Sequence, residues 1–192
     1  MPRRSDARQR MLESGATLFR ERGVSATALA DVLAHSGAPR GSVYHHFPGG
    51  REQFSAEVVA YAGRALSRRI SEAAPLGGHR LVDLLVDHWQ DVLAGTDLRG
   101  GCPVAAAASE AAADPGAREA AGAAFAHWTD RLERALTADG VDATRARSLA
   151  TLLLAAFEGA VLLARAQGSA EPVEAVREEL HAVLDGVSVP RR

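Results

Sequence analysis

Apolar side chains recur along most of this chain at three- and four-residue steps, the period of a helix with one buried face. Leu12, Ala16 and Phe19 lie at that spacing and predict a first helix, which Ser5 or Asp6 can cap and which stops at Gly23 after Arg22. Leu29, Val32 and Leu33 predict a short second helix, capped by Thr27 and ended by Gly37. A three-residue turn follows. Pro39 suits the opening of a third helix, PRGSVYHHF, because the amide that proline lacks would have no helical acceptor there. Val43 and Phe47, four apart, face inward on it, and His46 packs. Two short helices joined by a tight glycine-containing turn are the sequence form of a helix-turn-helix.

Pro48-Gly49-Gly50 interrupts this pattern, and Arg51 opens a long helix to about Ala74. Further breaks fall at Gly77-Gly78, Gly100-Gly101, Asp114-Pro115-Gly116, Asp139-Gly140 and Gly168 to Pro172. Between them the spacing predicts five more helices, roughly 79–94, 103–113, 116–138, 142–166 and 172–186. Leu81, Leu84, Leu85, His88, Trp89 and Val92 form one stripe, and Ala121, Phe125, Trp128, Leu132 and Leu136 another. No run alternates apolar and polar residues over a strand's length. The chain reads as all-α with about nine helices: a helix-turn-helix domain at 1–48 and a larger helical domain at 49–188.

Charge sharpens this division. The whole chain carries a net charge of −2, but residues 1–51 hold eight arginines against four acids, and the remainder is acidic. A basic segment on an acidic body points to a polyanion held at one end. Every basic residue is arginine, which assigns no function by itself.

Cys102 is the single cysteine, which excludes an intramolecular disulfide and fits a reducing cytoplasm. The amino terminus is charged and lacks the apolar core of a signal peptide. The longest apolar stretch, Leu149 to Ala164, carries Glu158 and is short for a membrane span. The seven histidines show no metal-ligand spacing, and no phosphate loop or dinucleotide motif is present. No catalytic constellation, metal or cofactor is expected.

The stretch GVSATALADVLAHSGAPRGSVYHHF, from Gly23 to Phe47, resembles the signature of the TetR family of regulators, and ARQRMLESGATLFRERG fits that family's first helix. FPGGREQF and GGCPVAAAASE are similar to an LmrA/YxaF-like subgroup. The resemblance implies a homodimeric transcriptional regulator that binds operator DNA and responds to a small molecule. Pro39 departs from the family pattern, which usually has Ser or Thr there, and Arg51 stands where Lys is usual. The third helix supports DNA recognition independently. Gly41 and Ser42 are small enough for close approach to base edges, Arg40 can read guanine or clamp a phosphate, and Ser42 can donate to either. Tyr44 and His45 would reach phosphates, as would Thr27 at a helix start and Arg51 at the next.

The same resemblance places dimerisation on the last two helices. Leu149, Leu152, Leu153, Ala156, Phe157, Ala160 and Leu163 make the eighth apolar over more than one face. Val173, Val176, Leu180, Val183 and Leu184 give the ninth a narrow seam. It also implies a pocket for a small aromatic or lipophilic effector, for which His88, Trp89, Cys102, Phe125, Trp128 and Glu158 are the candidate lining residues. Two alternatives stay open: redox sensing through Cys102, placed before Pro103 at a helix start, and constitutive DNA binding without a ligand. The resemblance implies a repressor acting at a palindromic operator, with activation left open.

Overall fold

A computed structural model describes residues 4–110, 112 and 114–187 of the chain. Among these residues there are nine α-helices and no strand: α1 (Arg4–Arg22), α2 (Leu29–Ser36), α3 (Ser42–His46), α4 (Gly50–Ala73), α5 (Gly78–Gly95), α6 (Pro103–Ser109), α7 (Pro115–Ala138), α8 (Ala143–Gln167) and α9 (Glu171–Val187), with a short 3-10 turn at Ala74–Leu76. Most expected boundaries lie within two residues of these. The exceptions are α1, already helical at Arg4 and so not capped by Ser5 or Asp6, α3, which begins three residues after Pro39, and α6, which ends before the alanine run does.

The chain divides into two compact units, residues 1–64 with 102–125 and residues 65–101 with 126–192. The first is built around α1. Met11, Leu12 and Phe19 are buried on it, as are Phe54 and Val58 of α4, Val43 of α3 and Phe47 just after α3. Phe54 is the hub: its ring meets Phe47 edge-on at 5.1 Å and Phe19 at 6.3 Å. Gly15 permits the approach of α4 to α1, because a Cβ there would lie 2.6 Å from Val58 Cγ2 and 2.8 Å from Phe54 Cζ. α6 also packs on α1. Arg8 spans the edge of this core, paired with Glu57 and stacked 5.3 Å from the Phe47 ring centre.

In the second unit α5 packs on α8 and α9, and α8 on α9. Its core holds Leu81, Leu85, Trp89, Trp128, Leu132, Leu153, Phe157, Leu180 and Leu184. Gly77 offers no side chain to cap α5, and the carboxylate of Asp139 does so from a distance, accepting the Gly78 amide at 2.7 Å. Asp142 caps α8 by accepting the amides of Thr144 and Arg145. Two crossed pairs fasten α5 to α9: His79 with Asp185 at 2.9 Å, and His181 with Asp83 at 3.1 Å. By length and composition the whole of α8 qualifies as a membrane span, which its inner apolar stretch alone did not suggest. Its place in the fold accounts for that composition, since Leu149, Leu153 and Phe157 bury one face within the unit.

Replacing Phe54 with alanine removes the ring on which Phe19 and Phe47 both close. Unfolding in urea is expected to show a loss of about 3–5 kcal/mol, whereas a change below about 1 kcal/mol would mean the hub is not the keystone of the first unit.

Candidate nucleic-acid interface

The recognition segment is short and tightly anchored. α3 has only five residues, too few to be stable alone. Val43 at 2% exposure and Phe47 at 0% hold it to the core, and the Phe47 amide closes it on the Val43 carbonyl at 2.7 Å. Because those two side chains point inward, Tyr44 is turned out, 67% exposed, with His45 exposed beside it. His46 is half-buried, its ring edge-on to that of His45.

Before α3, Pro39, Arg40 and Gly41 form an exposed turn, not the first turn of a helix. The Ser42 amide donates to the Pro39 carbonyl at 2.9 Å, and the Ser42 hydroxyl donates to the same oxygen at 2.6 Å. Pro39 therefore acts as an acceptor that closes a three-residue turn, and the Ser42 hydroxyl, whose proton is already given, is left as an acceptor. Arg40 is exposed, and no ion pair among the described residues involves it. Next to it a concavity of about 600 Å³ is lined by Ala30, Leu33, Ala34, Gly37 and Ala38 with Arg40.

The expected phosphate contacts from Thr27 and Arg51 take a different form. Thr27 is buried at 2% exposure, and its hydroxyl donates to the Gly23 carbonyl at 2.8 Å. α2 is instead entered through Ala28, whose amide is accepted by the Asp31 carboxylate at 3.0 Å. Arg51 donates from Nη1 to the Thr27 carbonyl and from Nη2 to the Val24 carbonyl, both at 2.7 Å. These are charge-assisted bonds to a loop whose carbonyls have no helical partner. The two residues thus secure the loop between α1 and α2. Glu110, which sequence reasoning passed over, reaches the same loop: its carboxylate accepts the Val24 amide at 3.0 Å and the Ser25 amide at 2.6 Å. Nothing in the alanine-rich sequence around it signals a partner 85 residues away.

The candidate effector residues fall in both units. His88, Trp89, Trp128 and Glu158 belong to the second and Cys102 and Phe125 to the first. Trp89 and Trp128 are core residues, 3% and 1% exposed, and His88 lies half-buried with its ring 5.0 Å from that of Trp89. Cys102 is buried at the start of α6, its Sγ accepting the Ala105 amide at 3.4 Å.

Of the candidate dimer residues, Leu149, Leu153, Phe157, Ala160, Leu180 and Leu184 lie in the core of their own chain. They are therefore not surface available to a partner. The reason is the packing of α8 and α9 on each other and on α5. Ala156, Val176 and Val183 are half-buried. Leu152 and Leu163 are 45% and 51% exposed, and Leu162, which periodicity did not single out, is 63% exposed.

A buried three-helix cluster presenting a short exposed recognition segment is the form of a helix-turn-helix DNA-binding module. Residues 11–58 match the family of bacterial regulatory proteins of the tetR type, and residues 80–179 match the LmrA/YxaF-like carboxy-terminal domain of transcriptional regulators. The uncharacterized HTH-type transcriptional regulator Rv0196 of Mycobacterium tuberculosis is 46% identical over 184 residues, 92% of this chain and 93% of its own. The regulator YxaF of Bacillus subtilis is 29% identical over 188 residues, 96% and 98% of the two chains. A TetR regulator from Chloroflexus aurantiacus superposes with a TM-score of 0.79 at 27% identity, covering 98% of both chains. The chain belongs to the TetR family of DNA-binding transcriptional regulators, with a carboxy-terminal domain of the LmrA/YxaF-like kind. The matched families and these relatives are regulators, not enzymes.

Arg40→Ala and Tyr44→Ala are each expected to weaken DNA binding by about 1–3 kcal/mol while leaving the urea midpoint unchanged, since neither side chain is part of the core. Arg51→Ala is expected to lower stability as well, by about 1–3 kcal/mol, because it unbinds two loop carbonyls. Equal stability of the Arg51 variant and the wild type would return that residue to the phosphate-contact role.

Proposed function

We propose that the protein is a ligand-responsive repressor that binds a palindromic operator as a homodimer and is released from it by a small molecule. The observation that carries the dimer is the outer face of α8. Leu152, Leu162 and Leu163 are 45%, 63% and 51% exposed in a chain whose other large apolar side chains are mostly buried. They lie on one side of the helix with exposed Ala155 and half-buried Gly159 between them, and a Cβ at Gly159 would meet nothing within 4 Å. An apolar helix face with small residues at its centre suits a second helix laid close against it. The half-buried Val176 and Val183 of α9 would flank it. A second copy of the chain supplies that helix and, with it, a second recognition segment. Two half-sites about one helical turn apart then multiply the modest affinity of one.

In each half-site Arg40 reads a base edge or clamps a phosphate. Tyr44 and His45 reach phosphates, Ser42 accepts, and the smallness of Gly41 lets the backbone come close. Pro39 shapes the turn. Trp89, Trp128, His88 and Glu158, all of the second unit, offer the apolar walls and polar edges that an aromatic or lipophilic effector needs. Such an effector releases DNA only if it binds the DNA-incompetent conformation more tightly. Repression is supported by relatives: DhaR of a Mycobacterium species, 27% identical over 178 residues, is named a transcriptional repressor. A protein acting on chromosomal DNA in a bacterium works in the cytoplasm.

The redox reading rests on the surroundings of Cys102. Cys102 Sγ accepts an amide, and the Arg20 guanidinium lies within its electrostatic reach. Peroxide treatment that abolishes DNA binding in the wild type but not in Cys102→Ser would support it.

Leu163→Glu is expected to convert the dimer to a monomer in analytical ultracentrifugation and to lower affinity for DNA from upstream of the chain's own gene at least tenfold. A dimer of wild-type stability in that variant would move the interface elsewhere. For the effector, a compound that raises the melting temperature should also displace that DNA. Stabilisers that leave DNA binding untouched would favour a constitutive DNA-binding protein.

A further inference from the structure

We infer that Glu110 is a positioning residue for DNA binding: its carboxylate, carried at the end of α6, fixes the loop from which the helix-turn-helix is launched. The loop between α1 and α2 is gripped from two sides. Glu110 accepts the amides of Val24 and Ser25, and Arg51 donates to the carbonyls of Val24 and Thr27. Arg51, the charged group facing the Glu110 carboxylate from α4, adds Coulombic attraction. Chain and carboxylate meet where only glycine leaves room. Gly23 has φ +90°, and a Cβ on it would lie 2.2 Å from Glu110 Oε1.

Burial raises the pKa of this carboxyl. The bonds from Ser25 and Val24 and the charge of Arg51 outweigh that effect and hold it below the ordinary 4.5. With the folded pKa depressed, the clamp contributes fully above the ordinary value and is lost only as pH falls through the lower one. It is charged throughout the neutral range.

The consequence for DNA follows from the order of the chain. The loop sets where α2 begins, α2 carries the turn at Pro39 to Gly41, and that turn places Arg40 and Tyr44. Specific contacts require placement to a fraction of an ångström. Two amides released at the start of this series are therefore felt at its end, and Glu110, whose two oxygens are taken by the Val24 and Ser25 amides, acts through Arg40 and Tyr44. The cost appears in affinity more than in folding, because the core under α1 keeps its apolar contacts.

The test uses the full chain and the duplex that the wild type selects most strongly from a random-sequence pool. Glu110→Gln keeps the size of the side chain and removes its charge and one acceptor. It is expected to raise Kd about tenfold, to speed amide exchange at Val24 and Ser25, and to leave the melting temperature within a few degrees of wild type. The dependence of affinity on salt should keep its slope, since no phosphate contact is lost. Glu110→Asp keeps the charge on a shorter stem and is expected to recover part of the affinity. Wild-type affinity in Glu110→Gln would overturn the inference, as would a reduced salt slope or an aspartate variant no better than the glutamine one. If Glu110→Gln does not fold, Glu110→Asp decides alone: weaker binding at an unchanged salt slope supports the role, and wild-type binding overturns it.

Discussion

A recognition helix of five residues cannot hold its own shape, and the architecture of the first unit follows from that constraint. Nucleating so short a helix costs more than its own hydrogen bonds return, so the difference must come from burial. Val43 and Phe47 provide it by entering a core whose centre is Phe54. The inward pair then dictates the outward set. On a helix, positions 43 and 47 share a face, which turns Tyr44 and His45 to solvent. The outward face of α3 is thus the back of a packing solution.

The loop ahead of α2 shows a second constraint, that backbone polar groups must be satisfied. Thr27, Arg51 and Glu110 answer it from three different stretches of sequence. Hydroxyl and guanidinium groups near a helix start are equally suited to a phosphate oxygen and to a nearby carbonyl. Sequence shows the residue type and not the partner. Here the nearer partner, already fixed by the fold, takes the bond. The groups proposed for DNA are those with no such neighbour among the described residues, above all Arg40.

Legibility followed the same line. Helix positions were plain in the sequence because glycine and proline stop helices by local sterics. Of the expected stripes, Leu81, Leu85, Trp89 and Val92 of α5 and Ala121, Trp128, Leu132 and Leu136 of α7 are buried. Leu84, His88 and Phe125 are half-buried, and the buried Val82, Val86 and Leu93 were not singled out. Pro39 was misread for a local reason too. Proline is tolerated both in a first helical turn and in the turn before it, and the Ser42 hydroxyl bond to its carbonyl selects the second. α8 was legible only in part. Apolar residues nearly all round it indicated two covered faces, yet periodicity alone could not assign Leu149, Leu153 and Phe157 to its own chain and Leu152, Leu162 and Leu163 to the outside. That assignment depends on where α5 and α9 lie, which is tertiary information.

The division between the two units carries the argument one step further. The LmrA/YxaF-like match begins at residue 80 and takes in α6, so by descent α6 belongs with the carboxy-terminal domain. By contact it belongs with residues 1–64, packing on α1 and ending in the carboxylate that holds the α1–α2 loop. Residue 48 is where the recognition motif stops, and the contacts around that motif run on into α4 and α6. The exposed residues proposed to face DNA are local in sequence because α3 and the turn before it carry them. Their support is not local, because a loop with open amides and carbonyls needs charges from two other helices to fill them.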